Sequence, residues 1–204
     1  MDVSRALADL DEVRTRLAAV QRFRGLSAAA AVASGLLAFG CGVVQLAVAP
    51  HPAAAGGAVD RYLAIWIACL VSALALNYGA VVAWLIRNWS SRSRTQLRTA
   101  ALTILPAVVA GGAFSAALFA RGEIGLLPGT WALCYGLGLL AARGMLPRGA
   151  AVVAVFFAAA GSALLFAPGT NALAWWVMPL TFGCGQSAIG ALIARDEAGA
   201  EVRI

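Results

Sequence analysis

Six long apolar stretches occupy most of this sequence and limit what the chain can fold into. They cover residues 25–48, 62–86, 97–120, 126–142, 149–166 and 172–194. A helix needs about 20 apolar residues to cross about 30 Å of hydrocarbon, and only the fourth and fifth stretches lie near the lower limit. The chain is 62% hydrophobic and 12% charged, whereas soluble domains are about half apolar and about a quarter charged. Lipid must therefore solvate much of its surface.

The pattern predicts an all-α fold, a polytopic integral membrane protein with six transmembrane helices arranged as three antiparallel hairpins. Residues 1–24 are predicted to form a short cytoplasmic amphipathic helix, because apolar residues recur there at spacings of three and four. Such a helix can lie on the membrane surface or pair with a partner helix. Residues 25–195 form the predicted transmembrane domain, and residues 196–204 form a short cytoplasmic tail. Pro179 lies inside the sixth stretch and is predicted to kink it.

Arginine is the only basic residue type present, and its distribution predicts the orientation of the chain. Arginines concentrate before the first stretch, after the second, after the fourth and in the tail, whereas the other loops contain only Arg61 and Arg121. Positively charged loops stay in the cytoplasm, so both termini are predicted to be cytoplasmic. The protein itself is predicted to lie in the inner membrane of a bacterium. The loop after the second stretch is predicted to contact anionic lipid or an acidic cytoplasmic partner. It contributes Arg87, Arg92, Arg94 and Arg98.

The chemistry needed for catalysis is missing from the apolar stretches. None of the nine acidic residues lies inside a stretch, and the single histidine, His51, lies in a predicted outer loop. No glycine-rich phosphate-binding motif occurs. The four cysteines lie within apolar stretches without a CxxC pair, as expected of reduced packing residues. We therefore expect no enzymatic activity, no catalytic residues, no metal, no cofactor and no nucleic-acid partner, but contact with the lipid bilayer and with other membrane protein chains or further copies.

Three uncharged polar residues near the middle of the apolar stretches support two interpretations. Asn77, Tyr135 and Gln186 could line a polar path through the membrane. They could instead form hydrogen bonds between helices, which is the commoner role of such residues. Many glycines also lie in these stretches and would let helices approach closely, which explains assembly but no activity.

Residues 121–143 contain a compact motif: an Arg-Gly turn, then Leu-Leu-Pro-Gly-x-Trp, then a Tyr-Gly pair. It comprises Arg121, Leu126, Leu127, Pro128, Gly129, Trp131, Tyr135 and Gly136, with Phe182, Gly183 and Gly185 matching a second stretch in the last helix. With these residues the chain resembles a family of uncharacterised small bacterial membrane proteins, over about residues 60–195. The resemblance implies six spans after a short N-terminal helix, and a gene often beside one for a winged-helix regulator. No activity is attached to the family, so it assigns no functional residue.

Three functions remain open from the sequence. The favoured hypothesis is an accessory or scaffold subunit of a larger membrane complex, because the chain has apolar helices rich in small residues and no chemistry of its own. The second is a small-solute or ion permease acting as an oligomer, based on the polar residues in the stretches. The third is a membrane sensor coupled to a cytoplasmic regulator through the N-terminal helix and the arginine loops.

Overall fold

The computed structural model describes residues 23, 25–50, 57–166 and 169–201, and its regular structure there is entirely helical. The predicted all-α class is therefore confirmed. Six helices of fifteen or more residues follow one another: α1 (Ala28–Val48), α2 (Gly57–Arg87), α3 (Ser91–Ala120), α4 (Leu127–Ala141), α5 (Ala150–Phe166) and α6 (Cys184–Glu201). The amphipathic helix predicted for residues 1–24 lies outside the described residues, apart from Phe23. His51 and the last three residues also lie outside them.

Within the described residues, four helical segments are long and apolar enough to cross a membrane, judged by length and composition: Ala28–Val48, Gly57–Arg87, Ser91–Ala120 and Ile124–Ala141. The last begins with a short 3-10 turn, Ile124–Leu126, that runs into α4. These segments are compatible with a multi-pass membrane protein. Helix α5 is apolar but has only 17 residues. The number of six spans therefore stays a prediction.

The sixth apolar stretch differs most from its prediction, which was a single helix over residues 172–194. A 3-10 turn at Gly169–Leu173 comes first, and a π-helical turn at Pro179–Gly183 then leads into α6, which continues to Glu201. Pro179 opens the π turn, where proline has no N–H to donate. The hydroxyl of Thr181 donates to the carbonyl of Val177 at 2.8 Å, which gives that acceptor a side-chain partner. The predicted kink is thus a local change of helix type.

The helices pack in an order that differs from the order of the chain. Helix α2 packs against α1, α1 against α6, α6 against α5, α5 against α4, and α4 against α3. The most extensive interface joins α4 to α5. These two helices belong to different predicted hairpins, α4 to the second and α5 to the third. Helices α2 and α3 stand at opposite ends of this series and hardly contact each other, although only the loop 88–90 joins them. The two longest helices therefore diverge from that loop.

Glycines explain how the central helices approach so closely. A Cβ atom on Gly136 of α4 would lie 2.7 Å from the backbone nitrogen of Ala158 and 2.8 Å from the carbonyl oxygen of Ala154, both on α5. Gly35 of α1 likewise abuts the π turn and the start of α6, where an added Cβ would lie 2.8 Å from the carbonyl oxygen of Gly183 and 3.0 Å from the backbone nitrogen of Ser187. Only a residue without a side chain fits such backbone-to-backbone contacts. Gly112, also expected at a close contact, faces open space instead.

Candidate functional site

A buried amide connects three parts of the fold at one end of the helices. The side chain of Gln45 on α1 is fully buried. Its Nε2 donates to the carbonyl of Leu173 at 2.8 Å, and its Oε1 accepts a hydrogen bond of 2.8 Å from the indole Nε1 of Trp66 on α2. The amide thus satisfies a buried donor and a buried acceptor at once. This arrangement ties α1 to α2 and to the 3-10 turn before α6.

Tryptophans near the ends of membrane helices commonly place their rings at the level of the lipid headgroups, and the position of Trp66 in the second apolar stretch would suggest the same. The structure instead buries this side chain to 2% exposure, with its N–H donated inside the protein. The physical reason is the polar partner: a buried indole needs an acceptor, and Gln45 supplies one. The only sequence signal was the presence of a glutamine inside the first apolar stretch.

Tyr62 lies one helical turn before Trp66 and is also fully buried, with the two ring centroids 6.4 Å apart. Within the described residues, its hydroxyl is the buried side-chain polar atom without a hydrogen-bond partner. Burying a hydroxyl without a partner costs free energy. The packing of the Tyr62 ring against buried neighbours such as Trp66, Leu173 and Met178 must therefore offset that cost.

The three polar residues singled out in the sequence lie at two different helix pairs. Gln186 on α6 donates from Nε2 to the hydroxyl of Tyr135 on α4 at 2.7 Å. Asn77 on α2 donates from Nδ2 to the hydroxyl of Ser34 on α1 at 2.7 Å. The structure thus brings Tyr135 and Gln186 together and places Asn77 in a separate contact between α1 and α2. Each contact is a hydrogen bond between helices.

Aromatic rings surround the Tyr135–Gln186 contact. The ring centroid of Tyr135 lies 4.8 Å from that of Phe157 in an edge-to-face arrangement and 5.7 Å from that of Phe182. Such pairs add specific stabilisation beyond the burial of apolar area. A similar polar bond joins α3 to α4, where the indole of Trp131 donates to the hydroxyl of Ser115 at 2.8 Å. What these groups do together is to fix neighbouring helices in register.

The predicted arginine loop is the most strongly charged part of the described surface. Arg87 ends α2, whereas Arg92, Arg94 and Arg98 lie in the first two turns of α3, and all four are exposed. The side chain of Ser90 caps α3 by accepting a hydrogen bond from the backbone nitrogen of Ser93 at 3.1 Å. The arginines are therefore held on a well-formed helix end, and an open groove begins beside them.

Side chains that could bind a metal ion are not grouped together in the described part of the chain. No group of three or more histidine, cysteine, aspartate or glutamate side chains lies close enough together there to hold a metal ion. The four cysteines are free thiols.

Two of these thiols face each other across the interface between α1 and α2. Cys41 lies between Ser34 and Gln45 on α1, and Cys69 lies between Trp66 and Asn77 on α2, so the two hydrogen bonds described above set the register that pairs them. Cys41 packs against the cluster that contains Cys69, and their side chains interact.

Oxidation by copper phenanthroline in membranes is expected to join Cys41 to Cys69, because these two thiols interact across the packed helices α1 and α2. Mass spectrometry of the digested protein should find the linked peptide, and the Cys69→Ala variant should lose it. The absence of any link at Cys69, with Cys41 joined to Cys134 instead, would contradict the packing of α1 against α2.

The comparisons with known proteins add no relative: no protein-family model, curated protein or solved structure matches the chain significantly. The resemblance drawn from residues 121–143 therefore stays a prediction.

Proposed function

We propose that this chain is a non-catalytic accessory or scaffold subunit of a larger membrane complex. The observation that carries the proposal is the exposure of its two longest helices. Helix α3 buries only Ser93 and Ala100, and helix α2 buries only Tyr62, Trp66 and Cys69. Each packs mainly along one neighbour, and the two diverge from their shared loop. They present long apolar faces on which helices of other membrane proteins can pack.

The proposal includes six spans in the inner membrane of a bacterium, with both termini in the cytoplasm. Helix α5 has 17 residues, which gives a length of about 25 Å and fits a thin or locally adapted bilayer. Arg87 and Arg92 lie at the same turn, and Arg143 and Arg148 lie together at the next predicted cytoplasmic turn. The rule that positive loops remain inside supports this orientation.

The pairing of the polar side chains favours a structural role over a permease. Gln45, Asn77 and Gln186 all use their amide groups in hydrogen bonds inside the protein. A path for solutes or ions needs polar groups that can exchange partners with the substrate. Bonds between helices instead stabilise one arrangement, at about 0.6 kcal/mol each.

The direct test is purification from native membranes in a mild detergent, followed by mass spectrometry of the proteins that co-migrate. We expect a stoichiometric set of membrane proteins to accompany the chain. The variant Val108→Trp/Val109→Trp places two large rings on the exposed face of α3 and should remove those partners. Both valines are exposed, at 59% and 60%.

The matched control is Val152→Trp/Val155→Trp, which makes the same change at two exposed positions of α5. It should retain the partners. A monodisperse species without other proteins, unchanged by either variant, would show that lipid alone covers α3 and would overturn the proposal. In that case solute uptake by proteoliposomes becomes the decisive assay, with Asn77, Tyr135 and Gln186 as the first residues to replace.

A further inference from the structure

We propose that the arginine-rich end of α3, together with the groove beside it, forms a binding site for one anionic phospholipid. The inference concerns a ligand of this chain alone and does not depend on its role as a subunit. Its basis is a cluster of arginines at the start of α3 and a larger groove that adjoins it along the same helix.

The charged end of the site is a small hollow of about 260 Å³ lined by Ser91, Arg94, Thr95 and Arg98. Arg94 and Thr95 lie three and four residues after Ser91, and Arg98 lies four residues after Arg94, so the four share one face of α3. The guanidinium carbon of Arg94 lies 5.5 Å from the ring centroid of Trp89, which holds this side chain over the helix end. Two guanidinium groups on one face match the non-bridging oxygens of a phosphate diester.

The helix end adds to this preference for an anion. The site lies in the first two turns of α3, a helix of 30 residues. The N-terminal end of a helix has a positive electrostatic potential, which strengthens the effect of the arginines. The arginine charges and the potential of the helix end both attract a negatively charged headgroup, and neither favours a headgroup without net charge.

A larger groove of about 660 Å³ adjoins the hollow, with which it shares Ser91 and Thr95, and lies between α3 and the segment around the end of α4. Thr95, Thr99 and Thr103 form one wall, and Gly144 and Met145 belong to the other. Each threonine hydroxyl donates to the carbonyl four residues earlier, at 3.0, 2.9 and 2.8 Å respectively. These three donors are thus used within the helix, so the threonines offer methyl groups and acceptor oxygens, while Arg92 and Gln96 line the groove nearer the start of α3. The threonine wall suits the glycerol and upper acyl region of a lipid.

The groove also distinguishes a lipid from an acidic peptide. Helix α3 continues beyond the groove as an exposed apolar helix, with Leu102 and Leu105 more than half exposed. A phospholipid meets both requirements, because its anionic head binds the arginines and its chains lie along the apolar surface. A peptide could bind the arginines, but the rest of its backbone polar groups would then lie along this apolar helix surface without hydrogen-bond partners.

The test uses the purified, delipidated full-length protein in detergent, titrated with phosphatidylglycerol or with phosphatidylcholine of the same chains. Native mass spectrometry counts the bound lipids. We expect one phosphatidylglycerol to bind in clear preference to phosphatidylcholine. The variant Arg94→Gln/Arg98→Gln should weaken its binding by about thirtyfold, since each arginine near an anionic lipid contributes about a fivefold gain.

Two further variants separate this site from a general effect of charge. Arg61→Gln/Arg121→Gln removes the same charge from exposed positions at the predicted opposite side and should bind phosphatidylglycerol as tightly as the unmodified protein. Thr99→Phe keeps both arginines but fills the groove, and it should weaken binding of the two-chain lipid. Equal binding of the two lipids, equal loss in the two arginine variants, or unchanged binding by Thr99→Phe would each overturn the proposal.

Discussion

Replacing Gly136 with valine is expected to disrupt the packing of α4 against α5 and to lower the free energy of unfolding by about 3 kcal/mol. An added Cβ would lie 2.7 Å from the backbone nitrogen of Ala158 and 2.8 Å from the backbone oxygen of Ala154. Because both atoms belong to the main chain of α5, no rotation of a side chain can relieve the overlap. The two helices must separate along the interface that is the most extensive in the protein.

Unfolding by increasing mole fractions of sodium dodecyl sulfate, followed by circular dichroism, would measure the change. The control is Gly112→Val on α3, where an added Cβ meets no atom within 4 Å. That variant should unfold at the same detergent fraction as the unmodified protein. Equal stability of the two variants would show that α4 and α5 do not approach each other as closely as the structure has them.

Replacing Gln45 with leucine is expected to cost about 2 kcal/mol of stability. Leucine has a similar size, so the cavity term is small, but it removes the acceptor of Trp66 and the donor to the carbonyl of Leu173. Both Gln45 and Trp66 are buried, with 0% and 2% of their surfaces exposed. Water cannot readily replace the lost partners, and each orphaned group then adds its own desolvation cost.

A double-mutant cycle would identify the source of that cost. Adding Trp66→Phe to Gln45→Leu removes the orphaned N–H, so the double variant should be less destabilised than the sum of the two single changes. Ser115→Ala serves as the comparison, because it removes the acceptor of Trp131 and the donor to the carbonyl of Gly111 only at a partly exposed position, where water can replace the lost partners, and it should cost less. A Gln45→Leu protein as stable as the original would contradict the network.

Apolar length predicted the first five helices well, because hydrocarbon thickness dictates how many apolar residues a helix needs. The bounds of α1 and α5 differ from their predictions by three residues or fewer. The sixth stretch failed because hydropathy does not distinguish α-helical from 3-10 or π-helical backbone. There the outcome depends on contacts distant in sequence, such as the hydrogen bond from the backbone nitrogen of Trp175 to the carbonyl of Pro50 at 3.3 Å.

The sequence also identified Tyr135, Gln186 and Asn77 as residues of interest but could not pair them. Pairing requires the order in which helices pack, and short connections suggested that neighbours in the chain are neighbours in space. The packing of α1 against α6 breaks that expectation. The burial of Trp66 could not be predicted for a related reason, since a tryptophan near a helix end has the same sequence signature whether it faces lipid or a buried glutamine.

The packing of α1 against α6 has a consequence for how the protein is made. During synthesis α1 precedes its main partner by the length of four intervening helices, so the close contact of Gly35 with Gly183 cannot form until nearly all the described chain exists. Until then the glycine face of α1 lacks its own partner and is open to other helices or to membrane chaperones. Assembly is thus completed by the last helix, and a chain that stalls before α6 would be recognisable to quality control by this uncovered face.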